Sequence, residues 1–542
     1  MPRLTIDGRE VAVADGTTVI QAAEQLGIFV PRYCYHPGLS IAGNCRICLV
    51  DVEKFPKLQI ACNMPVGEGM VVHTKSEKAE SGRRAVLEFL LANHPLDCPV
   101  CDQSGECDLQ NFYMSFGLYD PRFREHKVKK KKAVELGPHV MLDQERCILC
   151  SRCVRFTDEI TKTGEFGIFD RGDRAELALY PGEVLDNLYS TNVVDICPVG
   201  ALTERDFRFK VRAWYLSSAA TVCNGCSQGC NVDMHFVLDR PHLNDGARLA
   251  RVKPRVNPHV NQWWMCDEGR YGFGWLDLGR LKSVRGPSGE ATWEQALDAI
   301  SAALAQPQNG GARPRIGVIA SAQLTNEELF LIREIFQAAL GALVSAAVPE
   351  ELGSSDDFLL KADKNPNTFG ATLLGLTGAD ALPAERILDE ALAGQLDVLW
   401  VFEHDLARAF GGRDVQRLAE SVPLLVYSGT NENPTASLAH WALPSAAYVE
   451  KDGTFVNCHG RLQRIGRAFP PLADSREDWR VLLDVARRLG LPLAWRGPEE
   501  IFQAMASTLA PFARLDYGRI GTLGADLAAE RTAGTTAPWS TS

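Results

Sequence analysis

His94-Pro95-Leu96-Asp97-Cys98-Pro99-Val100-Cys101-Asp102-Gln103-Ser104-Gly105-Glu106-Cys107 places one histidine and three cysteines in the spacing H-x3-C-x2-C-x5-C. A stretch so rich in thiols, with Pro and Gly between them, has neither the period of a helix nor that of a strand. It reads as a ligand loop. Three thiolates leave a four-iron cubane one ligand short, and His94, about one turn before the cysteines, completes it. A neutral imidazole in place of a thiolate removes a negative charge and should raise the reduction potential. The competing chemistry is zinc held by three cysteines and one histidine.

Working outward, the chain of 542 residues has 16 cysteines, and all but Cys458 lie between Cys34 and Cys266. Met1-Pro2-Arg3-Leu4-Thr5-Ile6-Asp7 has neither an apolar h-region nor an Arg/Ser-rich transit pattern, so the expectation is a reducing compartment and metal-ligating thiols rather than disulfides. The spacings then sort themselves. Cys34, Cys45, Cys48 and Cys62 give C-x10-C-x2-C-x13-C, with the small residues Ala42-Gly43-Asn44 where backbone N–H groups must approach sulfur; this reads as a 2Fe–2S centre. Cys147, Cys150 and Cys153 give C-x2-C-x2-C, and Cys197-Pro198 supplies the C-P step that closes a 4Fe–4S site. Cys223, Cys226, Cys230 and Cys266 give C-x2-C-x3-C-x35-C, with Gly225 and Gly229 allowing a tight turn; 4Fe–4S is the reading and zinc its rival. Fifteen cysteines and His94 thus make four sets of four.

The rest of the chain sorts by pattern. Asp7-Gly8 is a hairpin signal between Leu4-Thr5-Ile6 and Arg9-Glu10-Val11, and Thr17-Thr18 opens a helix carrying Val19, Ala22, Ala23 and Leu26 that Gly27 stops. A second helix is expected from Arg84 to Asn93. From about residue 290 helices alternate with apolar strands: Trp293 to Ala305, Ile316 to Ala320, a helix capped by Thr325, Leu396 to Phe402, Leu424 to Tyr427. That alternation predicts a parallel-sheet α/β domain. The fold expected is α+β and multidomain. It comprises a β-grasp ferredoxin-type domain over 1–80, Cys-rich cluster domains over 81–122, 139–215 and 216–272, an α/β domain over 273–528 and a disordered tail over 529–542.

Composition narrows the function. A net charge of −11 excludes a general nucleic-acid binder, and no run of 18 apolar residues spans a membrane. The basic block of Lys127 and Lys129 to Lys132 reads as a solvated loop. Cys458 reads as a small buried apolar residue.

In the order of its sets, above all in His94–Cys107, the chain resembles the 75 kDa iron–sulfur subunit (G-subunit) family of NADH–quinone oxidoreductase, respiratory complex I. Glu450-Lys451-Asp452-Gly453-Thr454-Phe455-Val456-Asn457-Cys458-His459-Gly460-Arg461 and Trp441-Ala442-Leu443-Pro444 are similar to stretches of molybdopterin oxidoreductases. The resemblance implies a relay. Electrons from a flavin- and NADH-binding partner enter at the 2Fe–2S centre, pass to the Cys147 set and then the His94 set, and leave to quinone-module subunits. The Cys223–Cys266 set resembles a cluster of only some members, off that path. It also implies attachment through partners to the cytoplasmic side of a bacterial inner membrane, with no catalytic acid or base on this chain. The last domain is truncated and has no Cys between Cys266 and Cys458, so no molybdopterin is expected. That absence also weighs against an NAD-linked formate dehydrogenase, and the cysteine count against an iron-only hydrogenase; a non-redox zinc scaffold is the remaining alternative.

Overall fold

The Asp7-Gly8 turn works as its residues require. Asp7 (φ 48°) and Gly8 (φ 81°) both take positive φ, so β1 (Arg3–Ile6) and β2 (Arg9–Ala12) pair antiparallel with Ile6 opposite Arg9. In the computed structural model, which describes residues 1–120, 122–305, 313–346 and 353–528, this hairpin opens a five-stranded sheet. With β3 (Leu49–Val52), β4 (Gln59–Ile60) and β5 (Met70–His73) the order is β2-β1-β5-β3-β4, and β1 runs parallel to β5. Helix α1 (Val19–Gln25) starts at a Thr18–Gln21 capping box and stops at Gly27 (φ 67°); it buries Val19, Ile20, Ala22 and Ala23 in one core with Leu4, Ile6 and Val50. A mixed sheet crossed by one helix is the β-grasp arrangement expected.

The next helix differs from its sequence expectation. Helix α2 spans Glu77–Asn93, starting seven residues before Arg84 and running across the 80/81 boundary. Ser76 caps it, accepting from Ala79 N at 3.1 Å, and Glu77 and Glu80 sit in the first turn where the helix dipole favours acids. Gly82 lies inside the helix because a side chain there would press on Leu58 Cδ1 at 2.7 Å and Leu49 Cδ1 at 3.0 Å. Close helix–sheet packing outweighs its poor helix propensity.

Two compact units partition the chain: Met1–Leu216 with Arg240–Gly246, and Ser217–Asp239 with the described residues from Ala247 onward. The second holds a seven-stranded sheet in the order Gly289–Ala291, Val284–Gly286, Trp441–Pro444, Leu424–Gly429, Val398–Phe402, Ile316–Ile319, Leu343–Ser345. Its last five strands are parallel and its first two antiparallel. Trp293–Ala305 is helical as its period predicts, and Thr325 forms a capping box with Glu328. The segment expected as a separate domain over 216–272 divides between the units: its antiparallel strands Ser217–Val222, Asn231–Phe236 and Leu249–Pro254 belong with the α/β domain. The tail over 529–542 lies outside the described residues.

The Glu450-Lys451-Asp452-Gly453-Thr454 stretch is a staple of this unit. Glu450 and Arg280, both fully buried, pair at 2.9 Å; Lys451 Nζ lies 2.8 and 2.9 Å from the Glu328 carboxylate. Thr454 N and Oγ1 and the Tyr517 hydroxyl all donate to Glu327 at 2.9–3.0 Å. Breaking one partner out of such a buried pair costs about 3–5 kcal/mol.

Burial pushes the Glu327 carboxyl up to about 7. An acid whose folded value is raised binds its proton more tightly when folded. Its contribution is therefore present below about pH 4.5 and is lost as pH rises through about 7. Glu327→Gln should flatten that slope: between pH 5 and 7 the unfolding free energy of wild type, followed by circular dichroism, falls more than the variant's, by an amount on the order of 2 kcal/mol.

Candidate metal centres

His94 leaves helix α2 because Pro95 follows it. A residue before proline is driven to extended backbone, and His94 ends the helix at φ −64°, ψ 132°. The carbonyls freed at that end are taken by Lys127, whose Nζ donates to Leu91 O at 2.7 Å and Ala92 O at 3.0 Å, and Asn93 Oδ1 accepts from Val128 N at 3.0 Å. The basic block is thus largely engaged rather than merely solvated. Lys132 Nζ lies within 2.6–3.3 Å of Asp97, Asp143 and Glu145, and Lys130 donates to Ala175 O.

His94, Cys98, Cys101 and Cys107 line one cavity with Arg146 and Gly200. Burial, helped by the Arg146 and Lys127 charges, pushes the His94 imidazole down to about 4, so it is neutral, as a ligating imidazole must be. Burial pushes the Cys107 thiol up to about 11. Gly200 abuts Cys101: a methyl group there would overlap its Sγ.

Cys147, Cys150, Cys153 and Cys197 line a second cavity with Ser151, Arg152 and apolar side chains including Ile168, Leu177, Val193 and Val199. Burial pushes Cys147 up to about 12 and Cys150 to about 11, and raises Cys153 and Cys197. In the first set the Cys34 thiol is in hydrogen-bonding contact with Cys45 and Cys62, and Cys62 with Cys48. Those bonds hold Cys34 and Cys48 low and push Cys45 and Cys62 up. Gly43 (φ 62°) turns the chain so that the Asn44 N–H reaches Cys34 sulfur.

Cys223, Cys226, Cys230 and Cys266 line a third cavity, in the other unit. Its loop is held by the Asn457–Gln463 segment. Cys458 N donates to Ser227 O at 2.8 Å, Asn457 Nδ2 to Gln228 O at 3.2 Å and Gln463 Nε2 to Gly229 O at 3.0 Å. Cys458 is half-buried rather than buried, its sulfur 4.0 Å from Gln228 Oε1. Gly229 (φ 62°) needs its glycine, and a side chain there would press Gln463 Oε1 at 2.8 Å; Gly225 takes no positive φ.

Among the described residues no three His, Cys, Asp or Glu side chains close on a single ion. The sulfurs stand round cavities instead. Four thiols together, or three with a histidine, are a donor set that gains by losing protons to a multiply charged metal group, and soft thiolate sets of this kind suit iron–sulfur clusters.

Four family descriptions match the chain in succession. They are a 2Fe-2S iron-sulfur cluster binding domain over residues 2–77 and an NADH-ubiquinone oxidoreductase-G iron-sulfur binding region over 83–122. After these come a ferredoxin-like domain of NADH-quinone oxidoreductase subunit 3 over 137–203 and a molybdopterin oxidoreductase domain over 368–488. A mitochondrial NADH-ubiquinone oxidoreductase 78 kDa subunit of Candida albicans is 32% identical, over 91% of this chain and 83% of that protein. The Neurospora crassa 78 kDa subunit is 33% identical over 91% and 81%, and the NADH-quinone oxidoreductase G-subunit of Rickettsia felis 29% over 95% and 92%. This chain belongs to the G-subunit family of NADH–quinone oxidoreductase. Among solved structures, a chain of an NAD+-reducing [NiFe]-hydrogenase is 32% identical over 39% of this chain and 90% of that one; its TM-score of 0.36 is too low to carry a fold argument.

For a chain of the G-subunit family, the residues that the cysteine spacing did not reveal are arginines. Arg152 Nη1 donates to Ile196 O at 2.9 Å and Nη2 to Tyr35 O at 2.7 Å, tying the neighbours of Cys197 and Cys34 together. Arg146, itself buried, donates from Nε and Nη2 to Asp97 Oδ2 at 3.2 and 3.0 Å, holding the turn before Cys98. Their only advance signal was position: each lies within two residues of a cysteine of the Cys147 set.

Among the glycines at sulfur, Gly200 and Gly225 separate by contact distance. Gly200→Ala should displace Cys101 and strip iron from the His94 set. Gly225→Ala, whose methyl group would sit 3.5 Å from Cys223 Sγ in ordinary contact, should leave iron content unchanged. Iron per chain after anaerobic purification distinguishes the two outcomes.

Proposed function

We propose that this chain is the iron–sulfur electron-transfer subunit of an NADH–quinone oxidoreductase, carrying electrons from a flavin- and NADH-binding partner toward quinone-module subunits. Clusters bound at the four sets supply the one-electron carriers. The ligands are Cys34, Cys45, Cys48 and Cys62 for one 2Fe–2S cluster, and three sets for 4Fe–4S clusters: His94, Cys98, Cys101, Cys107; Cys147, Cys150, Cys153, Cys197; and Cys223, Cys226, Cys230, Cys266.

The observation that carries the reading is how the first three sets adjoin. The Cys147–Arg155 loop contacts the first set: Asn44 Nδ2 donates to Leu149 O at 3.2 Å, and Arg155 reaches Cys34 O. The other end of the same set, Cys197-Pro198-Val199-Gly200, contacts the second. Asp108 N donates to Pro198 O at 3.0 Å, Cys107 Sγ lies 3.9 Å from that oxygen, and Gly200 abuts Cys101. The Cys147 set therefore contacts both the 2Fe–2S set and the His94 set. This supports an order the cysteine sequence itself does not follow.

The chain's own residues hold, insulate and tune. Mostly apolar side chains surround the Cys147 set, and neutral His94 sets the charge of its site. No step asks a side chain to act as acid or base. The α/β domain serves as scaffold, its 273–528 core stapled by Glu450, Lys451 and Glu327, with no molybdopterin bound. The chain sits peripherally on the cytoplasmic side of the membrane through its partners; among the described residues no helix is long and apolar enough to cross one.

Two measurements test this. Anaerobic analysis of the full chain should find about 14 iron with matching sulfide, and zinc in their place would sink the proposal. His94→Cys should keep its cluster while lowering the potential of that centre alone, because a thiolate adds a negative charge; an EPR-monitored titration with an unchanged midpoint would remove His94 from the ligands.

A further inference from the structure

Arg155 lies on the short helix Arg152–Phe156, two residues beyond Cys153. Its guanidinium is spread over four acceptors. Nη1 donates to Ser40 O; Nη2 donates to Cys34 O at 2.6 Å and to Cys150 O at 3.3 Å; Nε reaches Ser151 Oγ at 3.3 Å. Cys34 belongs to the first set and Cys150 to the third. One nitrogen therefore touches the backbone of a ligand from each of two centres.

The same seam carries other bonds. Ser40 N donates to Glu159 Oε2 at 2.8 Å, and Asn44 Nδ2 to Leu149 O at 3.2 Å. Arg152 is the buried bolt of the seam, and its loss would threaten folding. Arg155 is only half-buried, so its removal leaves the packed core in place. Two physical consequences follow from a guanidinium here. Its planar fork spans carbonyls on two loops with separate nitrogens held in one rigid plane, where the flexible ammonium of a lysine sets their separation less tightly, so it fixes the gap between them. Its fixed positive charge stabilises the electron added to either centre, because reduction makes each more negative.

We propose that Arg155 is a positioning residue for electron transfer between the 2Fe–2S centre and the Cys147 centre, locking the distance between their loops and raising both reduction potentials. Tunnelling falls off exponentially with the gap, so a loosened seam slows the step even with both clusters intact. The proposal rests on the electron-relay reading above.

The test uses the full chain purified anaerobically, with Arg155→Met and Arg155→Lys, measuring iron and sulfide, the midpoint potential of each centre, and spin–spin broadening between the two reduced centres by EPR. Arg155→Met should keep its iron and lower both potentials. At fixed potential the reduced-to-oxidised ratio should fall about tenfold, about 59 mV for one electron. Broadening should weaken, and the His94 centre should not move. Arg155→Lys should restore the potentials and not the broadening. Potentials and broadening both equal to wild type in Arg155→Met would overturn the proposal, as would an equal shift at every centre. Should Arg155→Met lose its clusters, Arg155→Lys decides alone: weakened broadening at wild-type potentials supports the role, and unchanged broadening refutes it. Wild-type chain holding zinc would instead end the relay reading itself.

Discussion

Grouping four thiols round one small apolar cavity works against the ionisation that metal binding requires. Away from water the thiolate is the costly form, and in the Cys147 set burial drives the thiols to about 11 and 12. A set of this kind is frustrated until a multiply charged centre takes the protons' place, so metal binding and local folding become one event. Much of the first unit's architecture follows from supporting such loops, which have little regular structure of their own. The carbonyls of a ligand loop cannot pair with one another in a ladder, and they are buried. Something must donate to them.

Arginine does that work. Arg152 and Arg155 between them satisfy the carbonyls of Tyr35, Ile196, Cys34, Cys150 and Ser40. Arg212 does the same beside the His94 set, donating to Cys101 O at 2.6 Å and Pro99 O at 2.7 Å. Each guanidinium brings several donors on one rigid plane and a charge that opposes the accumulated negative charge of thiolates and electrons. One residue type thus closes the hydrogen bonds of a ligand loop and sets its electrostatics.

What the sequence made legible was local. The C-x2-C spacings, His94 before Pro95, the Asp7-Gly8 turn and the Thr325 cap all act within a few residues, so reading them needs no tertiary knowledge. The start of helix α2 was missed because Gly82 argues against a helix on propensity, and only its contact with Leu49 and Leu58 reverses that. The basic block looked solvated because lysine usually is; its partners include Leu91 O, Asp97 and Ala175 O, 35 or more residues away. The adjacency of the Cys147 set to both neighbours was likewise hidden, since it depends on Pro198 and Arg155 finding distant backbone.

The Glu450–Arg461 stretch shows how a motif can be legible and its work still misread. Its likeness to molybdopterin oxidoreductases directs attention to a cofactor, yet four of its polar residues pair within the protein. Glu450 faces Arg280, Lys451 faces Glu328, Thr454 faces Glu327, and Asn457 reaches Gln228 O in the Cys226–Cys230 loop. A buried carboxylate paired in this way is hard to remove without leaving its partner uncompensated. Those four residues thus have structural work to do. The turn and strand that follow it also hold the loop of the fourth cysteine set: Asn457, Cys458 and Gln463 supply the hydrogen bonds to the Cys226–Cys230 loop.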